Sequence, residues 1–129
     1  VNWLLNKKIP ADKLIIGAAF YARIWEHVAD SNHGLYANGK FLKAVSFKDF
    51  TGYFNSGSGF KYHWDGKAKA PYQYSRQKKL FATFDDERSI GEKTKFIRQK
   101  KLGGIMFWEL TEDKIRGGLV DAIIKGLDK

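Results

Sequence analysis

The sequence predicts an α/β fold with parallel strands, and three observations carry that expectation. Two apolar runs, Lys13 to Phe20 and Ile105 to Leu110, are each bounded by turn signals, the pattern of strands covered on both faces. Helical patterns flank them, so the order is helix, strand at one end and helix, strand, helix at the other. The middle of the chain instead alternates apolar and polar residues in short runs, which predicts an antiparallel meander set into the parallel pattern.

Taken in order, Val1, Leu4, Leu5 and Ile9 keep helical spacing until Pro10, whose ring cannot continue the hydrogen-bond ladder. The first strand follows the turn at Pro10 to Asp12. Asn38-Gly39 between Leu35-Tyr36 and Phe41-Leu42 signals a tight hairpin. Ser46 and Asp49 are spaced to cap a short helix bearing Phe47, Phe50 and Phe54, and Asn55 to Gly59 reads as a flexible loop. Phe60 to Trp64, Pro71 to Ser75 and Leu80 to Phe84 supply the meander strands. Ser89 with Glu92 forms a capping-box pattern for a helix to about Lys101, which Leu102-Gly103-Gly104 ends. Thr111 to Asp113 offer N-cap oxygens to a last helix with Ile115, Leu119, Val120, Ile123, Ile124 and Leu127 on one face.

The 129 residues are 43% hydrophobic and 29% charged, a balance that folds rather than staying disordered. They are too few for a closed eight-stranded β/α barrel, which takes ~250 residues. No apolar run approaches the ~20 residues of a membrane helix, so no membrane partner is expected. There is no cysteine, which removes disulfide and thiol chemistry and leaves redox compartment unread. Val1 opens inside an amphipathic pattern, so the chain reads as a piece of something longer. The formal net charge is +9, concentrated in Arg76 to Lys79 and in Lys93, Lys95, Arg98, Lys100 and Lys101. The second group falls on a helix whose Ile90 and Ile97 face inward, and reads as a solvated face.

Both apolar strands run into aromatic and charged residues, Tyr21-Ala22-Arg23-Ile24-Trp25 and Trp108-Glu109. Ligands of β/α folds sit at the carboxyl ends of parallel strands. Trp and Tyr faces can stack on the C–H face of a sugar, while Arg and Glu hydrogen-bond its hydroxyls. The competing reading makes Trp108 a core residue and Arg23 with Glu109 a buried pair. His27, His33 and His63 lack metal-ligand spacing, so no metal is expected. Asp85-Asp86-Glu87 reads as charge at a helix N-terminus.

Three motifs in order resemble the glycoside hydrolases of family 18, the chitinases. Gly17 to Arg23 is similar to the Gly-x-x-x-Tyr-x-Arg pattern of that family's seventh barrel strand. Phe84 to Ile90 followed by Leu102-Gly103-Gly104-Ile105-Met106-Phe107-Trp108-Glu109-Leu110 resembles its last helix and eighth strand. The segment with Trp64-Asp65 and Pro71-Tyr72 resembles the small α+β insertion many of these enzymes carry. The resemblance implies a fragment of a (β/α)8 TIM barrel, residues 1–25 and 80–129, carrying an α+β insertion domain at 26–79. It also implies a parent that hydrolyses β-1,4-linked N-acetylglucosamine polymers with retention through the substrate's own acetamide, without a cofactor. Such a parent is consistent with a secreted or periplasmic location.

By the same resemblance Trp108 floors the subsite of the distorted sugar, and Tyr21, Arg23 and Trp25 line the cleft. Trp64 and Tyr72, with Tyr62 and Tyr74, are candidate sugar-facing aromatics of the insertion, set against the competing reading of each as core of a small meander, and Glu109 supplies a supporting hydrogen bond. The family's Asp-x-x-Asp-x-Asp-x-Glu run, which holds the catalytic acid, has no counterpart here; the chain alone is expected to bind chitin or a related glycan without cleaving it. A non-catalytic carbohydrate-binding module is the alternative. A nucleic-acid partner, suggested by charge alone, is set aside for want of a recognition motif. Two parallel strands with free edges and an unpartnered face further predict self-association, or a stable unit centred on the insertion.

Overall fold

The computed structural model describes residues 1–128 and contains two sheets. A short helix α1 (Asn2–Asn6) and a 3-10 turn at Ala11–Lys13 lead into β1 (Ile15–Ala19). The chain then passes into β2 (Tyr21–Glu26), β3 (Lys40–Ser46), α2 (Phe50–Tyr53), β4 (Lys61–Asp65), β5 (Ala70–Ser75) and β6 (Leu80–Thr83). It finishes with α3 (Glu87–Lys100), β7 (Gly104–Trp108) and α4 (Leu119–Leu127). Strands β1 and β7 pair in parallel, with Ala19 opposite Trp108. The other five form an antiparallel sheet ordered β3-β2-β6-β5-β4, which contains the expected meander. β2, whose residues read as the end of the first parallel strand, instead hydrogen bonds within this second sheet, between β3 and β6.

Only one face of the parallel pair is covered. Ala18, Ile105 and Phe107 pack against Ile90 of α3 and Leu119 and Ile123 of α4, with Phe20 stacked on Phe107 at 4.6 Å between ring centres. Ile15, Met106 and Trp108 stand exposed on the other face. The apolar runs were expected to be covered on both sides; their uncovered residues have no partner within the chain.

The second core lies under the antiparallel sheet, where Ala22, Ile24, Val45, Ala82 and Phe84 meet Tyr53, Phe54 and Phe60. Phe50 packs on both cores, touching Phe47 on one side and Phe84 on the other.

Between the sheets the chain turns at Phe20, whose N–H donates to the Trp108 carbonyl at 3.0 Å while its carbonyl accepts from Phe47 N–H at 2.8 Å. Asp85, only 5% exposed, fastens this seam. Its carboxylate accepts from Ala19 N–H at 2.8 Å, Ser89 Oγ at 2.7 Å and Lys93 Nζ at 2.6 Å. Lys93 also donates to the Gly17 carbonyl.

Several local expectations are corrected. α1 ends at Asn6, and Lys8 adopts a positive φ before Pro10 is reached. Asn38-Gly39 makes no hairpin, because Lys40–Ser46 is drawn into a longer ladder beside β2. The short helix after Ser46 is a 3-10 turn running into α2, without a side-chain cap. The capping box of α3 is Asp86 with Ser89, one turn earlier than Ser89 with Glu92, and Lys101 rather than a glycine takes the left-handed C-cap. Gly103 serves instead for close approach, since a Cβ there would lie 2.0 Å from the Asp12 carbonyl oxygen. The last helix starts at Leu119, leaving Ile115 fully exposed. Asp113 nevertheless caps it from six residues away, accepting from Leu119 N–H and Val120 N–H at 2.8 Å each.

The antiparallel sheet is clamped to the start of α3 by two side chains of β4. Tyr62 OH donates to Asp86 Oδ2 at 2.9 Å, and Arg88 lies 3.7 Å above the ring centre of Trp64. Burial first, and then the bond to Asp86, push the Tyr62 pKa up to about 12.

Two outcomes are expected. Phe20→Ala removes a fully buried ring and costs about 3–5 kcal/mol, measurable by urea unfolding. The raised Tyr62 pKa favours the neutral hydroxyl in the folded state. Its stabilisation is therefore complete below pH ~10, the unfolded value, and is lost as pH rises toward 12. Tyr62→Phe should flatten that part of the stability profile, as read by unfolding at pH 8 and pH 11.

Candidate functional site

The period of a strand builds the site. In β2, Ala22 and Ile24 point into the core, which sends Tyr21, Arg23 and Trp25 to the opposite face. On β3, Ser46 lies opposite Tyr21, Ala44 opposite Arg23 and Phe41 opposite Trp25, the last after a register shift. Trp25 and Phe41 meet edge to face at 5.6 Å.

Across the seam, Trp108 ends β7 beside Ala19, and its peptide bond to Glu109 is cis. The indole is 64% exposed, so Trp108 is not a core residue. Together Tyr21, Arg23, Trp25, Phe41, Ala44, Trp108 and Glu112 line one cleft of about 490 Å³. Four of the residues singled out from sequence, Trp108, Tyr21, Arg23 and Trp25, are thus gathered in one place.

A larger cavity of about 780 Å³ shares Tyr21 and Arg23, but Lys69, Lys93, Lys95 and Gln99 are among its other walls. It contains no tryptophan. The smaller cleft has the flat apolar walls a sugar ring requires, with the Arg23 guanidinium 5.8 Å from the Tyr21 ring centre as a fixed donor.

The remaining sequence candidates stand elsewhere. Glu109 accepts from Thr111 Oγ1 at 2.8 Å and makes no ion pair with Arg23 among the described residues. Trp64 carries Arg88 on one ring face. Tyr72 is buried in a column of rings, His63 on one side at 5.1 Å and Phe81 on the other at 5.4 Å. Burial, helped by the charge of Asp65, raises the pKa of the Tyr72 hydroxyl. His63 also stacks on His33 at 4.2 Å, and its pKa is lowered by burial and then by His33 and Lys61. Among the described residues no group of three metal-ligating side chains occurs.

Phe41, Ala44 and Glu112 escaped the sequence reading. The first two become visible only through the β2–β3 register, which the Asn-Gly signal concealed. Glu112 was grouped with residues capping the last helix, whereas Asp113 performs that task.

Residues 1–113 match the model of the glycosyl hydrolases family 18. Chitinase A1 of Niallia circulans is 36% identical over 118 residues, an alignment covering 85% of this chain and 17% of that protein. A family 18 N-acetylglucosaminidase from Paenibacillus barengoltzii superposes with a TM-score of 0.84 at 35% identity, over 98% of this chain and 37% of that structure. Chitinase ChiA74 from Bacillus thuringiensis does so with a TM-score of 0.89 at 29% identity, over 98% of this chain and 24% of that structure. The chain therefore spans between about a sixth and two fifths of the length of these relatives. With the parallel strand pair, the exposed tryptophan at its carboxyl end and a family match over seven eighths of the sequence, the chain belongs to the glycosyl hydrolases of family 18.

Proposed function

We propose that the chain is the carboxyl-terminal portion of a chitinase-like glycoside hydrolase and supplies sugar-binding subsites to it. The observation that carries this reading is the cleft in which Trp108, exposed at the end of β7, faces the Tyr21, Arg23 and Trp25 side of β2. An indole offers a broad apolar plate to the C–H face of a pyranose. The guanidinium of Arg23 donates to hydroxyl or carbonyl oxygens at the ring edge. The substrate is then a β-1,4-linked N-acetylglucosamine polymer, cleaved with retention by attack of its own acetamide oxygen.

In this reading β1 and β7 are the seventh and eighth strands of a TIM barrel, and residues 26–79 are an α+β insertion whose sheet is completed by β2 and β6. The exposed face of Ile15, Met106 and Trp108 is then the barrel interior, which the remaining strands cover in the parent. The acidic run that protonates the leaving oxygen in the family is missing from this sequence. The chain by itself binds and positions a glycan without turning it over.

Calorimetric titration with an N-acetylglucosamine tetramer tests the reading directly, because its signal does not depend on tryptophan emission. Saturable binding is expected, weakened at least tenfold, about 1.4 kcal/mol, in Trp108→Ala. Equal affinity of the two proteins would refute it, and release of reducing sugar by the wild-type chain would refute the inactive fragment. Size-exclusion chromatography should show concentration-dependent association through the bare face and edges of β1 and β7; a compact monomer at all concentrations would count against the barrel placement.

A further inference from the structure

Glu112 closes the 3-10 turn Leu110–Glu112 that follows β7, and its side chain lines the cleft with Trp108, Tyr21 and Arg23. Its backbone is fixed, the N–H donating to the Glu109 carbonyl at 3.0 Å. The carboxylate is left poorly satisfied. Oε1 has only Ser46 Oγ, at 3.5 Å, and Oε2 is buried without a hydrogen-bond partner among the described residues. No described cation lies within ion-pair distance of it. The nearby lysines are occupied, Lys48 donating to the Thr111 carbonyl at 2.9 Å and Lys114 lying 4.9 Å from the Phe47 ring centre.

Buried carboxylate oxygens normally find donors, and one that has none within the protein points to a donor from outside it. The final torsion of a glutamate is broad, which leaves the carboxylate free to rotate toward the cleft that Glu112 lines. A carboxylate only accepts. Its match on a sugar lying against Trp108 is a hydroxyl or amide N–H, while Arg23 provides the complementary donor.

We infer that Glu112 is a specificity-determining, sugar-binding residue of the cleft, accepting a hydrogen bond from a hydroxyl or amide N–H of the ring that stacks on Trp108. The inference rests on the sugar-binding reading of the cleft and deepens it. A site built to accept from a particular donor rejects analogues that lack it more strongly than an apolar pocket distinguishes shapes. Glu112 therefore selects sugars that keep that donor over deoxygenated ones.

The test is calorimetric titration of the wild-type chain, Glu112→Ala, Glu112→Gln and Trp108→Ala with the N-acetylglucosamine tetramer and a set of its monodeoxy analogues. Glu112→Ala should bind the tetramer at least tenfold more weakly, with its melting temperature and near-ultraviolet dichroism retained. Glu112→Gln, which keeps a neutral acceptor, should fall between. One analogue should lose about tenfold against the wild type and nothing further against Glu112→Ala, a non-additivity that general loosening of the cleft does not produce. Binding by Glu112→Ala within twofold of wild type, or equal losses for every analogue in both proteins, overturns the inference. If Trp108→Ala alone abolishes binding, the sugar cleft stands and the role of Glu112 falls. If the wild-type chain fails to bind, both fall.

Discussion

The buried carboxylate of Asp85 is the constraint on which the arrangement depends. It sits where the parallel pair gives way to the antiparallel sheet, and it gathers a backbone N–H of β1, the Ser89 hydroxyl and the Lys93 ammonium. A charge so deeply placed is tolerated only when its oxygens are met by several donors, and meeting them fixes the end of β1 against the first turns of α3. Two residues past Ala19 the chain presents Tyr21, and four past it Arg23. The directions of both side chains are thus inherited from a group that never reaches the cleft.

The site itself is a product of two periodicities meeting at the seam. The alternation of β2 buries Ala22 and Ile24 and turns Tyr21, Arg23 and Trp25 outward, while the parallel register brings Trp108 alongside Ala19. Neither strand alone makes a cleft. At the seam the bond from Phe20 N–H to the Trp108 carbonyl, with that from Phe47 N–H to the Phe20 carbonyl, ties the two sheets together beside it.

Much of this was legible in the residues. The apolar runs marked β1 and β7, their parallel pairing followed from the intervening helix, and the terminal tryptophan and arginine pointed to the cleft. What the residues concealed was non-local. Tyr21 to Trp25 read as the tail of a barrel strand because nothing in its own sequence reveals that β3 and β6 flank it. Asn38-Gly39 is a strong local hairpin signal, overridden by a longer ladder with β2. Ser89 with Glu92 fits the same capping rule as Asp86 with Ser89, and the choice between them was made by Asp85, which holds the Ser89 hydroxyl inside the first turn. Ile15 and Met106 stand exposed on the unpartnered face expected of two strands read as a piece of something longer, although each apolar run taken by itself reads as covered on both sides.

Phe50 decides how far the two sheets can be treated as separate units. Its ring packs on both hydrophobic cores, with Phe47 on one side and Phe84 on the other. Residues 26–79 are therefore not a cassette that can be lifted out or exchanged between scaffolds with its borders cut clean. Excision would leave a hole beneath the parallel strands, and a transplanted copy would need a recipient whose own interior was already shaped around an intruding aromatic ring.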